Sequence, residues 1–351
     1  MDIKQLMQQI KLNCTISDAH FWGYYSICGL LLRLRELYRN EQSLTPWDEI
    51  PRGDISDWIS STEAQWKSLE HEPLRPLEIR DRLYDPFEVD GLNNFLSGHG
   101  LVYGGGYGRF NKPTFFLARL LGSAERGDYR IYYAGTELCR DLSASVAMLQ
   151  GRCIFMRLDS LKMLLWDKLQ ELDSRKFGGV LKEAFASYGI ESPSLSPKDL
   201  SAKIDTLASH LSDLFILHEM GEAFEDEYED EWLSILSHNQ DRATEFYVRG
   251  IKDLLADTSE KGPLKWITNS MQESLLNFYM VFMDGIRKEI FPGMVTAFQT
   301  FVENREWSLI EHARMKGYKK ATELRGHVLR LWREGKGDTL GTSIREILSG
   351  K

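Results

Sequence analysis

The residues with the clearest chemical potential lie in one short run, Leu214-Phe215-Ile216-Leu217-His218-Glu219-Met220-Gly221-Glu222-Ala223. On a helix, His218 and Glu222 sit four residues apart, about 40° around the axis, so both side chains leave one face. Glu219 follows His218 directly and lies about 60° from Glu222. An imidazole and a carboxylate fixed at that separation are suited to hold a divalent transition metal. A carboxylate beside the open coordination position can take a proton from metal-bound water. Here the ligands would be His218 and Glu222, and Glu219 the general base. The apolar Leu214–Leu217 stretch before them buries the start of this helix, and ionisable groups there need partners.

Over about nine residues, the run resembles the active-site helix of zinc metallopeptidases, whose pattern is H-E-x-x-H. Gly221 and Ala223 match the common flanks, His218 and Glu219 the first two positions, and Glu222 replaces the second His. The resemblance implies a metal-activated water and a hydrolytic reaction on a small-molecule or peptide substrate. The His-to-Glu exchange widens the choice of metal to zinc first, with iron or manganese as alternatives. One class of those peptidases takes a third ligand, a Glu, from a following helix. Glu245, 23 residues after Glu222, holds that place, and His238 and Asp241 stand on or just before the same helix. His210, eight residues before His218, is a weaker candidate.

A competing reading comes from the same segment. Residues 222–231 hold seven carboxylates in ten, and such a run is usually a solvated face. The chain would then be a non-catalytic helical interaction protein, docking a protein partner through that acidic surface. The C-terminal 304–351 carries +5 while the remainder carries −14, so the basic end could meet an acidic partner or the chain's own acidic run.

Other motifs carry less. Tyr103-Gly104-Gly105-Gly106-Tyr107-Gly108 with Arg109 and Lys112 could cradle a phosphate, but it fits neither nucleotide-binding fingerprint and reads equally as a glycine-bent strand. No GxSxG elbow occurs. Glu311-His312 reads as an exposed pair on an amphipathic helix. The four cysteines form no CxxC pair and stand in apolar stretches, as reduced, buried thiols do.

The elements that must position these groups are mostly helical. The expected fold is mainly α, a multi-helix, bundle-like scaffold with a small α+β insert at about 98–157. Helical signals cover 1–97, with Asp18 as the cap of a core helix through Phe21–Tyr38 and a second helix after Asp54 carrying Trp58 and Trp66. Strand signals fall at Lys112–Ser123, Asp128–Gly135 and Gly151–Leu158. Helical spacing at Leu138, Leu142 and Val146, after a Thr136 cap, predicts a helix between the last two. Helices resume after 158, and the Ser/Pro stretch 190–198 marks the best boundary before a long helix from Asp199. Three regions result: 1–97, 98–189, and 199–351, which carries the His218 helix.

The composition sets outer limits. The chain has 351 residues, 42% apolar and 27% charged, with a net charge of −9. It is too apolar for disorder and too acidic for a nucleic-acid coat. No 20-residue apolar run or secretory start is evident, so a cytoplasmic protein that neither spans a membrane nor binds nucleic acid is expected.

Overall fold

The computed structural model describes residues 3–108, 111–143, 145–173, 179–192, 195–238, 242–283 and 285–349. They form two compact units, Met1–Asp167 and Lys168–Lys351.

In the first unit, α1 (Ile3–Phe21), α2 (Ile27–Glu41) and α3 (Arg52–Leu69) precede the β1–β2 hairpin (Leu77–Ile79, Arg82–Tyr84) and α4 (Val89–Leu96). A five-stranded sheet follows, built from β3 (Leu101–Tyr107), β4 (Pro113–Arg126), β5 (Tyr129–Arg140), β6 (Ala147–Gln150) and β7 (Cys153–Arg157) in the order β3-β4-β5-β7-β6. Only β5–β7 is parallel. Helix α5 (Leu158–Gln170) leaves the last strand and crosses the division between units. The sheet curls until a Cβ added at Gly106 of β3 would stand 3.7 Å from the Met148 and Gln150 side chains of β6. The chain is mainly α with a β part, but that part is a sizeable sheet rather than a small insert.

The core of this unit draws on both sides of residue 97. Leu6, Ile10 and Cys14, one stripe of α1, pack with Leu92 and Leu96 of α4 and with Tyr103, Phe115, Phe116 and Phe155 of the sheet. The glycine run is explained here. A Cβ on Gly104 would lie 2.1 Å from the Phe116 ring, so the glycines admit aromatic rings. Burial explains two further departures from the sequence reading. Asp18 caps nothing: it sits inside α1, fully buried, with Lys112 Nζ at 2.9 Å and the Leu142 amide at 3.1 Å. The expected helix starts only after Ser26, whose Oγ accepts from the Gly29 amide. Within the span expected as a helix, 136–150, residues 136–140 are the end of β5 and 147–150 are β6.

In the second unit, α6 (Val180–Ala186) precedes the 28-residue α7 (Pro197–Phe224), capped by Ser196, which accepts from the Asp199 amide. Then come α8 (Glu229–His238), α9 (Arg242–Thr258), α10 (Pro263–Ser270), α11 (Glu273–Phe282), α12 (Gly285–Ile290), α13 (Gly293–Asn304), α14 (Trp307–Arg333) and α15 (Leu340–Ser349). Tyr247, Val248, Ile251 and Leu255 of α9 form its core with Leu324 and Val328 of α14 and Ile344 of α15. Residues 190–192 and 195–196 belong to this unit and precede α7. No helix among the described residues is long and apolar enough to cross a membrane.

Candidate metal centre

Helices α7 and α9 run antiparallel: His218 meets Asp257, Gly221 meets Ala256 and Glu222 draws near Asp253. Gly221 sets the spacing. A Cβ there would lie 2.3 Å from the Ala256 carbonyl oxygen and 2.8 Å from its carbon. Only glycine lets the two backbones approach this closely.

This contact assembles a group of three donors. One ligand atom from each of His218, Glu222 and Asp253 lies within 4.8 Å of the others. His218 Nε2 stands 3.8 Å from Glu222 Oε1. A tetrahedral ion about 2.1 Å from each ligand spaces them roughly 3.4 Å apart, so a small side-chain tightening would enclose one. His218 and Glu222 keep 23% and 22% of their side chains exposed, which leaves a solvent-facing side for a water or substrate.

The other ring nitrogen is already engaged. His218 Nδ1 lies 2.7 Å from Asp257 Oδ1. Asp257, 2% exposed, accepts from Tyr279 at 3.0 Å and from Arg287 at 2.5 Å. Arg287 is itself anchored to the Phe282 carbonyl at 2.9 Å. A carboxylate behind a metal-binding imidazole fixes its tautomer and leaves Nε2 for the ion. In the metal-free protein the same charges hold a proton on the imidazole, which an ion must displace. Burial opposes the imidazolium, yet Asp257, with Glu222 and Asp253 beyond it, pushes His218 up to about 10. Burial also opposes the Asp257 carboxylate, but Arg287 and His218 hold it below its usual range. Asp253 is raised, chiefly by burial. Lys252 Nζ approaches Glu222 Oε2 at 3.9 Å.

The remaining sequence candidates lie elsewhere. Glu245 is on α9, but eight residues before Asp253 is about 12 Å along the axis. In the antiparallel register, that is past the end of α7. Its Oε1 accepts from Arg249 Nε at 2.7 Å. His238 stands against Trp332, 5.3 Å between rings, with Asp338 at 3.5 Å. His210 packs against Tyr188. Glu219 is half-buried beside His218 and outside the ligand group. Asp241 and Arg109 lie outside the described residues. Asp253 and Asp257 are the additions the sequence reading missed; their i, i+4 spacing within the otherwise apolar Leu254-Leu255-Ala256 stretch was the available signal.

Helix α14, in the basic C-terminal segment, meets the acidic run. Glu225 accepts from Tyr318 and from Arg325, both at 2.7 Å, and Glu231 pairs with Arg333 at 2.7 Å. Lys112 is no phosphate ligand: 3% exposed, it lies between Asp18 and Asp141 at 2.9 and 3.2 Å. Burial pushes Asp18 up to about 7 against the pull of Lys112. A second buried network joins Glu137 to Arg157 at 2.7 Å and to Ser160 at 3.3 Å. Both networks are walled off from solvent, as structural ion clusters are.

Fold and site together define an α+β first unit and an all-helical second unit that carries a His/carboxylate cluster between two antiparallel helices. The N-terminal domain model of a family of unknown function (DUF6866) matches residues 5–157, and the family's C-terminal domain model matches residues 162–351; the chain belongs to this family. No curated protein and no solved structure matches the chain.

Proposed function

We propose that the chain is a metal-dependent enzyme, a hydrolase that activates water on an ion held by His218, Glu222 and Asp253. One observation carries this reading: three donors from two helices converge beside solvent, and Asp257 holds the fourth group, the His218 Nδ1–H. One neutral and two anionic ligands suit zinc, iron or manganese. A bound ion would lower the pKa of its water toward neutrality. Asp253 takes the ligand role first given to Glu245. Glu219, one residue from a ligand and not itself in the group, is the candidate general base. The rival reading, an acidic docking surface on 222–231, draws less support, because Glu225 and Glu231 are already paired with α14.

The test separates holding from chemistry. Glu222→Gln and Asp253→Asn should each weaken metal retention. Glu219→Gln should keep the metal and lower hydrolysis of generic peptide, ester and phosphodiester reporters by roughly 10²–10⁴-fold, the usual worth of general base catalysis. Equal metal loss in all three variants would show the roles misassigned.

A further inference from the structure

The stretch Phe21–Leu32 reads from sequence as deep core, and the structure leaves much of it outside. Trp22 is 47% exposed, Ile27 81%, Leu31 49% and Leu32 43%, with Tyr24 and the Cys28 thiol also exposed. From Phe21 to Leu32 no residue carries a charge at neutral pH. Ile27 and Leu31, and Cys28 and Leu32, are i, i+4 pairs on α2, so these side chains form one stripe. Trp22 is held in place by stacking on Trp66 of α3, 6.4 Å between ring centres.

We propose that this face is a homodimer interface, with α2 of one copy packed against α2 of a second. Two features favour a second copy. The exposed side chains amount to roughly 500 Å² of apolar surface, large for an isolated patch. A symmetric pair would therefore bury about 1,000 Å², the area at which a biological interface becomes plausible. An uncharged apolar stripe is also its own complement, as a two-fold contact requires. A bilayer surface fits less well. Interfacial helices are rich in Lys and Arg on their polar side; α2 does carry Arg33, Arg35 and Arg39, but Glu36 and Glu41 stand among them, α3 exposes Asp54 and Asp57, and the chain carries −9. In a two-fold contact centred on this stripe, Cys28 would lie close to its counterpart.

The 351-residue chain should sediment as a dimer at tens of micromolar. A short bismaleimide should join two chains through Cys28, because Cys14, Cys139 and Cys153 are buried. Ile27→Asp should weaken the dimer by about a hundredfold, since each pair loses two large apolar side chains and gains two charges at the contact. Ile27 is mostly exposed, so the circular dichroism of the variant should be unchanged; Leu31→Arg is the second variant if it is not. A protein that stays monomeric at these concentrations would overturn the proposal. So would a dimer indifferent to both substitutions, or a monomer whose α2 amides are protected by the chain's own second unit. Binding to neutral or anionic vesicles through Ile27, in place of dimerisation, would overturn it too.

Discussion

Gly221→Ala adds one methyl group at the point where α7 and α9 touch. The new Cβ would sit 2.3 Å from the Ala256 oxygen, 2.8 Å from its carbonyl carbon and 3.0 Å from its Cα. These are backbone atoms of a helix and cannot swing aside, so the helices must part by about 1 Å to restore an ordinary contact. Overpacking of this kind costs about 1–3 kcal/mol, and the intrinsic helix preference of alanine returns about 1 kcal/mol. With the worst contacts being to backbone, a net loss of about 2 kcal/mol is expected. For a unit of this size that lowers the melting temperature by roughly 4–8 °C. The same displacement separates His218 and Glu222 from Asp253, so metal affinity should fall by roughly tenfold to a hundredfold, as for loss of supporting interactions around an ion. Thermal unfolding followed by circular dichroism and a competitive chelator titration read the two effects. Gly326→Ala on α14 is the control: nothing lies within 4 Å of its added Cβ, so it should stabilise by about 0.4–1 kcal/mol. A Gly221→Ala protein as stable as wild type, with unchanged metal affinity, would refute the close packing and its role in holding the site.

Acidity gives a second prediction. The His218 imidazole is raised from 6.5 to about 10, so its pairing with Asp257 stabilises the metal-free fold fully below about pH 6.5 and is lost as pH rises toward 10. A metal ion must displace the same proton, so metal affinity should climb across that window; Asp257→Asn should flatten both trends, as read by melting curves and by the His218 ring signals in NMR. In the first unit, Gly104→Ala should destabilise because its Cβ would lie 2.1 Å from the Phe116 ring, whereas Gly106→Ala, with 3.7 Å of clearance, should be tolerated. Similar melting temperatures for these two variants would contradict the steric role given to the glycine run.

The α7 helix and the facing of His218 and Glu222 were legible because helical periodicity is local, and a following helix bearing Glu245 was indicated by the metallopeptidase resemblance. The third ligand was not. The spacing of the metallopeptidase pattern pointed to Glu245, but Gly221 against Ala256 fixes an antiparallel register in which Asp253 and Asp257 stand opposite Glu222 and His218. A register set by one close contact is a tertiary fact. The 136–150 segment was misread for a related reason. Glu137 and Arg140 face inward on β5, where Arg157 and Glu36 meet them, so the strand lacks the apolar alternation that marks a half-buried strand. Phe21–Leu32 was read as core because its residues are apolar on most sides; what covers such a helix is not encoded in its own periodicity.

The central claim is that His218, Glu222 and Asp253 hold one ion, and the metal content of the purified protein tests it most directly. Protein prepared without chelator and analysed by plasma mass spectrometry should carry about one zinc, iron or manganese ion per chain. His218→Ala and Asp253→Asn should lose that ion while Glu245→Gln retains it. Wild-type protein that carries no such metal and takes up none of the three on titration at pH 8 would contradict the account, as would an ion that survives His218→Ala.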